Sequence, residues 1–239
     1  MTAMIFSLIY TNSAFLPYVV AGCALISFLI GSLPFGLWVG LARGIDIRTL
    51  GSKNIGTTNV LRVLGPGPGT LVFLLDTLKG APVVTAARLL WPPTALSGDA
   101  VQLTMPYLVL IGLCAVLGHT FSPFLRFKGG KGIATSLGIL LALSWQVGLI
   151  GLAVWVAIVA LTRYVSLASL LAALSLPFAS FFLLRGIDQI WMLGLTFTLF
   201  VLVTIKHRAN IQRLLEGTEA KFGQRVAVPA EAREEHKNA

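Results

Sequence analysis

The 239-residue chain is 56% hydrophobic and only 11% charged, with a net charge of +9 and a mean hydropathy of +0.86. A soluble domain carries roughly 25% charged residues, so an ordinary soluble globule is excluded. No soluble basic domain exists to carry the positive charge onto nucleic acid. Transmembrane barrels need alternating segments of ~10 residues; this chain instead has long apolar runs of the ~18 residues or more that mark membrane helices. The expected fold is an all-α integral membrane protein with about seven transmembrane helices.

In chain order, spans are expected at 17–41, 68–90, 104–119, 132–145, 147–162, 164–184 and 189–205. The first apolar run lacks a basic leader and continues straight into a helix, so it reads as a span and not as a cleaved signal. The fourth and fifth spans share one apolar stretch with only Ser144, Trp145 and Gln146 as a turn, and the fourth is short for a full crossing. Residues 1–222 read as one polytopic domain and 223–239 as a flexible cytoplasmic tail.

Positive charges set the orientation. Arg43, Arg48, Lys53, Arg62, Arg126, Lys128, Lys131, Arg163 and seven residues from Lys206 to Lys237 fall on the face after the first span. The opposite face holds Arg88 and Arg185, while Lys79 lies within the second span. The first face is therefore expected to be cytoplasmic, with the N-terminus outside and the C-terminus inside. Even numbers of crossings separate three polar segments, so all three are expected on that face.

The first segment, Gly51–Arg62 (GSKNIGTTNVLR), combines turn-forming glycines with Ser52, Asn54, Thr57, Thr58 and Asn59 as short donors. Arg62 adds a planar two-pronged donor suited to an oxyanion. In the second segment, Gly118–Thr135 (GHTFSPFLRFKGGKGIAT), Lys128-Gly129-Gly130-Lys131-Gly132 directly precedes a helix, the arrangement of an anion site. It is not a Walker loop, because Ile133 stands where that motif needs a Lys followed by Ser or Thr. In the third, His207 and Asn210 lie three apart and share a helix face. Ile211, Leu214 and Leu215 form a stripe suited to the bilayer interface. Asp76 and Lys79 are too costly to leave unpaired at membrane depth and are expected to form an ion pair supporting the first segment.

Cys23 and Cys114 are isolated in apolar helices, and the three histidines form no metal-binding pattern, so no metal or other cofactor is expected. Aspartates occur only at 46, 76, 99 and 188, dispersed over both faces, which argues against a metal-dependent alcohol phosphotransferase. The absence of a Gly-x-Ser-x-Gly elbow argues against a serine acyl-enzyme.

Together GSLPFG (31–36), the first segment, DTLKG (76–80), FKGGKG and HRANIQRLLEGTE resemble the bacterial acyl-phosphate:glycerol-3-phosphate acyltransferases, the PlsY family. The resemblance extends over most of the chain. It implies acyl transfer from a long-chain acyl phosphate to the 1-hydroxyl of glycerol 3-phosphate, giving lysophosphatidate and phosphate in the first acylation step of phospholipid biosynthesis. The implied setting is a bacterial inner membrane, and the implied partner is an enzyme that produces acyl phosphate. Matched to the family's motifs, Ser52, Arg62, His207 and Asn210 are candidate catalytic residues. Asn54, Lys128, Gly129, Gly130, Lys131, Gly132, Thr135 and Glu219 are candidate substrate-binding residues. Lys53 replaces a Gly usual after the serine, and Ser122-Pro123 alters a usual Phe-Pro order.

The alternative is an organic-phosphate or anion transporter. That function requires polar groups near the midplane on several helices, and the third to seventh spans carry almost none.

Overall fold

The computed structural model describes residues 16–90 and 99–226. Among these residues every regular element is helical: α1 (Leu16–Gly31), α2 (Phe35–Leu41), α3 (Thr57–Leu64), α4 (Pro66–Leu78), α5 (Pro82–Leu90), α6 (Asp99–Thr120), α7 (Ile133–Leu143), α8 (Trp145–Thr162), α9 (Val165–Leu183), α10 (Gly186–Lys206) and α11 (Arg208–Leu215). A bilayer demands that backbone polar groups be satisfied within each segment, which favours this outcome. Among the described residues six stretches are long and apolar enough to cross: Pro17–Leu41, Pro66–Leu89, Thr104–Leu125, Trp145–Thr162, Val165–Leu183 and Gly186–Lys206. The expected fourth span is the shorter apolar helix α7.

Two of the crossings are broken, and the breaks meet. Pro34 lacks the N–H that would continue the α1 ladder to the Ile30 carbonyl, and in the break between Gly31 and Phe35 the Leu33 carbonyl is open to a side-chain donor. Lys79, at the end of α4, donates to that carbonyl at 2.8 Å. Its ammonium also lies 2.7 Å from Asp76 Oδ1, with both side chains almost fully buried. The expected ion pair is therefore present. Its direct contact is with the break in the first crossing, and Ser122 donates nearby to the Ser32 carbonyl at 2.7 Å.

Helix α7 has eleven residues, a rise of ~16 Å, about half of a ~30 Å hydrocarbon core. Its far end is fixed by Arg88, which donates to the Ala142 carbonyl at 3.0 Å. The chain then reverses at Ser144 and returns along α8. Lys131, just before α7, contacts Asn210, and Arg163, just after α8, donates to the Phe222 carbonyl. Both ends of this uneven pair thus belong to one face, and the three polar segments converge there. Beneath them, Ile139, Leu140, Leu176, Met192 and Leu199 form part of the main core. Ile47, Ile55, Val60 and Val72 pack a smaller core under the first segment.

Residues 223–226 of the expected tail run alongside this face, where the Val226 N–H donates to the Arg62 carbonyl at 3.1 Å. Residues 227–239, and the rest of the tail reading, lie outside the described residues.

Candidate active site

The first segment is organised by Asn59, which is fully buried. Its Oδ1 accepts the Ser52 N–H at 2.8 Å, while its Nδ2 donates to the Ile47 and Leu50 carbonyls. One amide thereby shapes the loop that presents Ser52. Asn54 Oδ1 accepts the Gly56 N–H at 2.9 Å, and α3 begins at Thr57. Arg62 follows in the last turn of α3, buried, with Nη2 donating to the Ala220 carbonyl at 2.9 Å. Its Nε is buried without a partner.

The second segment leans on His119. The Gly129 and Gly130 N–H groups donate to the Thr120 and His119 carbonyls at 3.2 and 3.0 Å. A Cβ on Gly130 would collide with His119 Nε2, so only glycine allows this approach. Gly132 has φ of +79° and sets the loop to enter α7. This geometry aims Lys131 inward, where Nζ donates to Asn210 Oδ1 at 2.5 Å. Lys128 stays exposed.

In the third segment, His207 is buried with Nδ1 2.8 Å from the Val203 carbonyl. A carbonyl only accepts, so Nδ1 carries the proton in the neutral ring and Nε2 is left with a lone pair. Asn210 Nδ2 donates to Glu219 Oε1 at 2.7 Å, and Arg213 Nε to Glu219 Oε2 at 2.7 Å.

Burial, reinforced by neighbouring cations including Arg213 and Arg62, pushes the Lys131 ammonium down to about 8. Burial and the Lys131 charge push His207 down to about 4. Burial also lowers Arg62 against the pull of Glu219. For Glu219 burial acts upward, but the Asn210 and Arg213 hydrogen bonds prevail and hold it below the usual carboxylate range. The result is a site with net positive potential and a neutral imidazole.

These groups surround a cavity of about 350 Å³. Ser52, Asn54, Arg62, Lys131, Gly132, His207, Asn210 and Glu219 all contribute to its wall. Lys128, Gly129, Gly130 and Thr135 do not form part of that wall. Thr135 turns its carbonyl toward Gly80 at the α4–α5 junction. One position further along α7, Ser136 faces the cavity instead, with a buried hydroxyl lacking a partner. Thr57 Oγ1 is a second such group in the wall. Periodicity from Gly132 could have signalled Ser136, since i and i+4 share a helix face. Nothing in the local sequence signals Phe222, which reaches the cavity from beyond the third segment. Away from the cations the wall becomes apolar, through Leu140, Leu152, Trp155 and Leu176.

The glycerol-3-phosphate acyltransferase family model matches residues 21–217. The chain belongs to this family. It is 43% identical over 217 residues to the glycerol-3-phosphate acyltransferase of Nostoc sp., covering 87% of this chain and 93% of that one. The corresponding protein of Mesorhizobium japonicum is 47% identical over 197 residues, covering 82% and 92%. Among solved structures, the glycerol 3-phosphate form of the integral membrane acyltransferase PlsY is similar, with a TM-score of 0.75 and 38% identity over 86% of this chain and 96% of that one. Its lysophosphatidic acid form gives 0.74 and 37%, with the same coverage. This member of the glycerol-3-phosphate acyltransferase family is thus a membrane-embedded acyltransferase.

Proposed function

We propose that the protein transfers a fatty acyl group from acyl phosphate to the 1-hydroxyl of sn-glycerol 3-phosphate, releasing 1-acylglycerol 3-phosphate and inorganic phosphate. This would be the first acylation of phospholipid biosynthesis, at the cytoplasmic face of a bacterial inner membrane. The observation that carries the reading is the continuity of one cavity from the cations Arg62 and Lys131 to an apolar slot between helices. A water-soluble phosphate and a lipid-borne acyl phosphate could meet there. The forms in which the similar PlsY structures are described, with glycerol 3-phosphate and with lysophosphatidic acid, support the same substrates.

An acyl phosphate is already activated, so the enzyme's main tasks are juxtaposition and charge neutralisation. Lys131 and the Gly132 loop receive the glycerol phosphate; Arg62 and Ser52 receive the donor's phosphate. The glycerol hydroxyl attacks the acyl carbon, the bond from that carbon to the bridging phosphate oxygen breaks, and phosphate departs. His207 Nε2 accepts a hydrogen bond from the attacking hydroxyl and orients it. The proton's more stable destination is a phosphate oxygen, with a pKa of ~6 in phosphate monoesters, since His207 is held at about 4. Asn210 and Glu219 hold Lys131 and the third segment in place.

The test is reconstitution with palmitoyl phosphate and radiolabelled glycerol 3-phosphate without added metal, comparing the parent with Arg62→Ala and Lys131→Ala. Labelled lysophosphatidate that disappears in both variants supports the reading. Vesicle uptake of label without acylation would instead make the protein an organic-phosphate transporter.

A further inference from the structure

The apolar slot has a floor. On α8, Gly148, Gly151, Leu152 and Trp155 line it at helical spacing; Leu176 of α9 and Leu140 of α7 face them. Gly151 lies eleven residues before the end of α8 at Thr162, and Leu176 eleven residues after the start of α9 at Val165. At ~1.5 Å per residue both sit ~16 Å from the α8–α9 turn at Arg163, while Leu141 of α7, which meets Gly148, sits ~12 Å past the start of α7 at Ile133. Gly151 and Leu176 also meet: a Cβ on Gly151 would lie 2.7 Å from Leu176 Cδ2. One turn deeper, a Cβ on Gly148 would lie 3.0 Å from the Leu141 backbone nitrogen of α7. Below that, Leu143 and Val147 are buried in the core where the chain reverses at Ser144.

A full-length fourth crossing would continue past this level. Because α7 stops half-way, its reversal into α8 closes the slot at a depth close to one leaflet, ~15 Å for a ~30 Å core. Trp155 is pinned by its Nε1 donating to Ser169 Oγ at 3.2 Å, so the wall above the floor has limited freedom to yield.

We infer that Gly151 and Leu176, backed by Gly148 and the α7–α8 reversal, set the maximum length of acyl chain the enzyme accepts. The inference rests on the reading above that the slot receives an acyl chain. Side-chain volume added at Gly151 pushes the end of Leu176 into the slot and raises the floor. The terminal methylenes of a long chain then meet protein, while a shorter chain does not reach it.

The test uses acyl phosphates from octanoyl to stearoyl for turnover, and unreactive alkyl phosphates of the same lengths for binding. The parent is compared with Gly151→Val and the milder Gly151→Ala, each checked for monodispersity in detergent. The expected result is a ~10–100-fold fall in the ratio of palmitoyl to decanoyl kcat/KM in Gly151→Val, the scale on which apolar pockets discriminate chain length. A smaller shift in the same direction is expected in Gly151→Ala, with the binding series moving in parallel. An unchanged length profile in the folded variants, or equal loss at every length, overturns the floor. Absence of turnover on any donor by the parent, with a shifted binding profile, retains the floor and refutes the acyl-phosphate reading instead.

Discussion

Lys131 Nζ and Asn210 Oδ1 lie 2.5 Å apart across 79 residues of chain. The same amide donates from Nδ2 to Glu219. Asn210 therefore spans a cation and a carboxylate that would otherwise be drawn together. By occupying Glu219, it leaves the Lys131 charge available to an incoming anion.

Asn210→Ala removes a hydrogen bond to each of two charged groups, contacts worth about 1.5–3 kcal/mol apiece. The expected outcome is a ~10–100-fold rise in KM for glycerol 3-phosphate with a lowered thermal midpoint. Steady-state kinetics and a melting curve in detergent check both.

Lys131 titrates at about 8 because burial disfavours its charge, with nearby cations adding to the effect. The ammonium is present below that pH and lost above it, so kcat/KM for glycerol 3-phosphate should fall as pH rises through about 8. kcat/KM reports groups of the free enzyme. Asn210→Asp, which places a carboxylate against the ammonium, should move this alkaline limb upward. A limb unmoved in that variant would remove Lys131 as its origin.

His207 is neutral in the folded site and titrates at about 4, below the ordinary histidine value of 6.5. A depressed histidine contributes stability that is fully present above pH 6.5 and lost as pH falls through about 4. The thermal midpoint should decline across this window in the parent and less in His207→Gln. The same variant tests the proton route: a loss of 10²–10⁴-fold in kcat would identify His207 as the base. A smaller loss is the expected result if phosphate takes the proton.

Lys53, next to Ser52, has φ of +57°. Its side chain is exposed and does not form part of the cavity wall. A left-handed conformation costs an L-residue roughly 1–2 kcal/mol, partly offset by the greater freedom glycine loses on folding. Lys53→Gly should leave KM unchanged and stabilise the protein by about 0.5–1 kcal/mol, read from the unfolding midpoint in denaturant.

Much of the site was legible because its chemistry is local. Ser52, Arg62, Lys131, His207 and Asn210 stand out as polar groups in a chain made mostly of hydrocarbon, and all five reach the cavity. Thr135 and Ser136 were harder to separate, since both are small hydroxyl residues at a helix start. Which one faces inward depends on the phase that Gly132 imposes on α7. Phe222 and Ala220 carry no signal of their own; a backbone carbonyl becomes a partner for Arg62 only when distant segments pack together.

The amino-acid sequence alone determined the helical membrane class, the approximate spans and the polar, largely cationic character of the three segments. Those properties follow from hydropathy and side-chain chemistry summed over neighbouring residues. Tertiary structure decided that Lys79 secures the break at Leu33, that Asn210 stands between Lys131 and Glu219, and that α7 turns back at Ser144. Those relationships rest on contacts between groups far apart in the chain and on the buried volume each neighbour leaves, and neither is encoded in any single stretch.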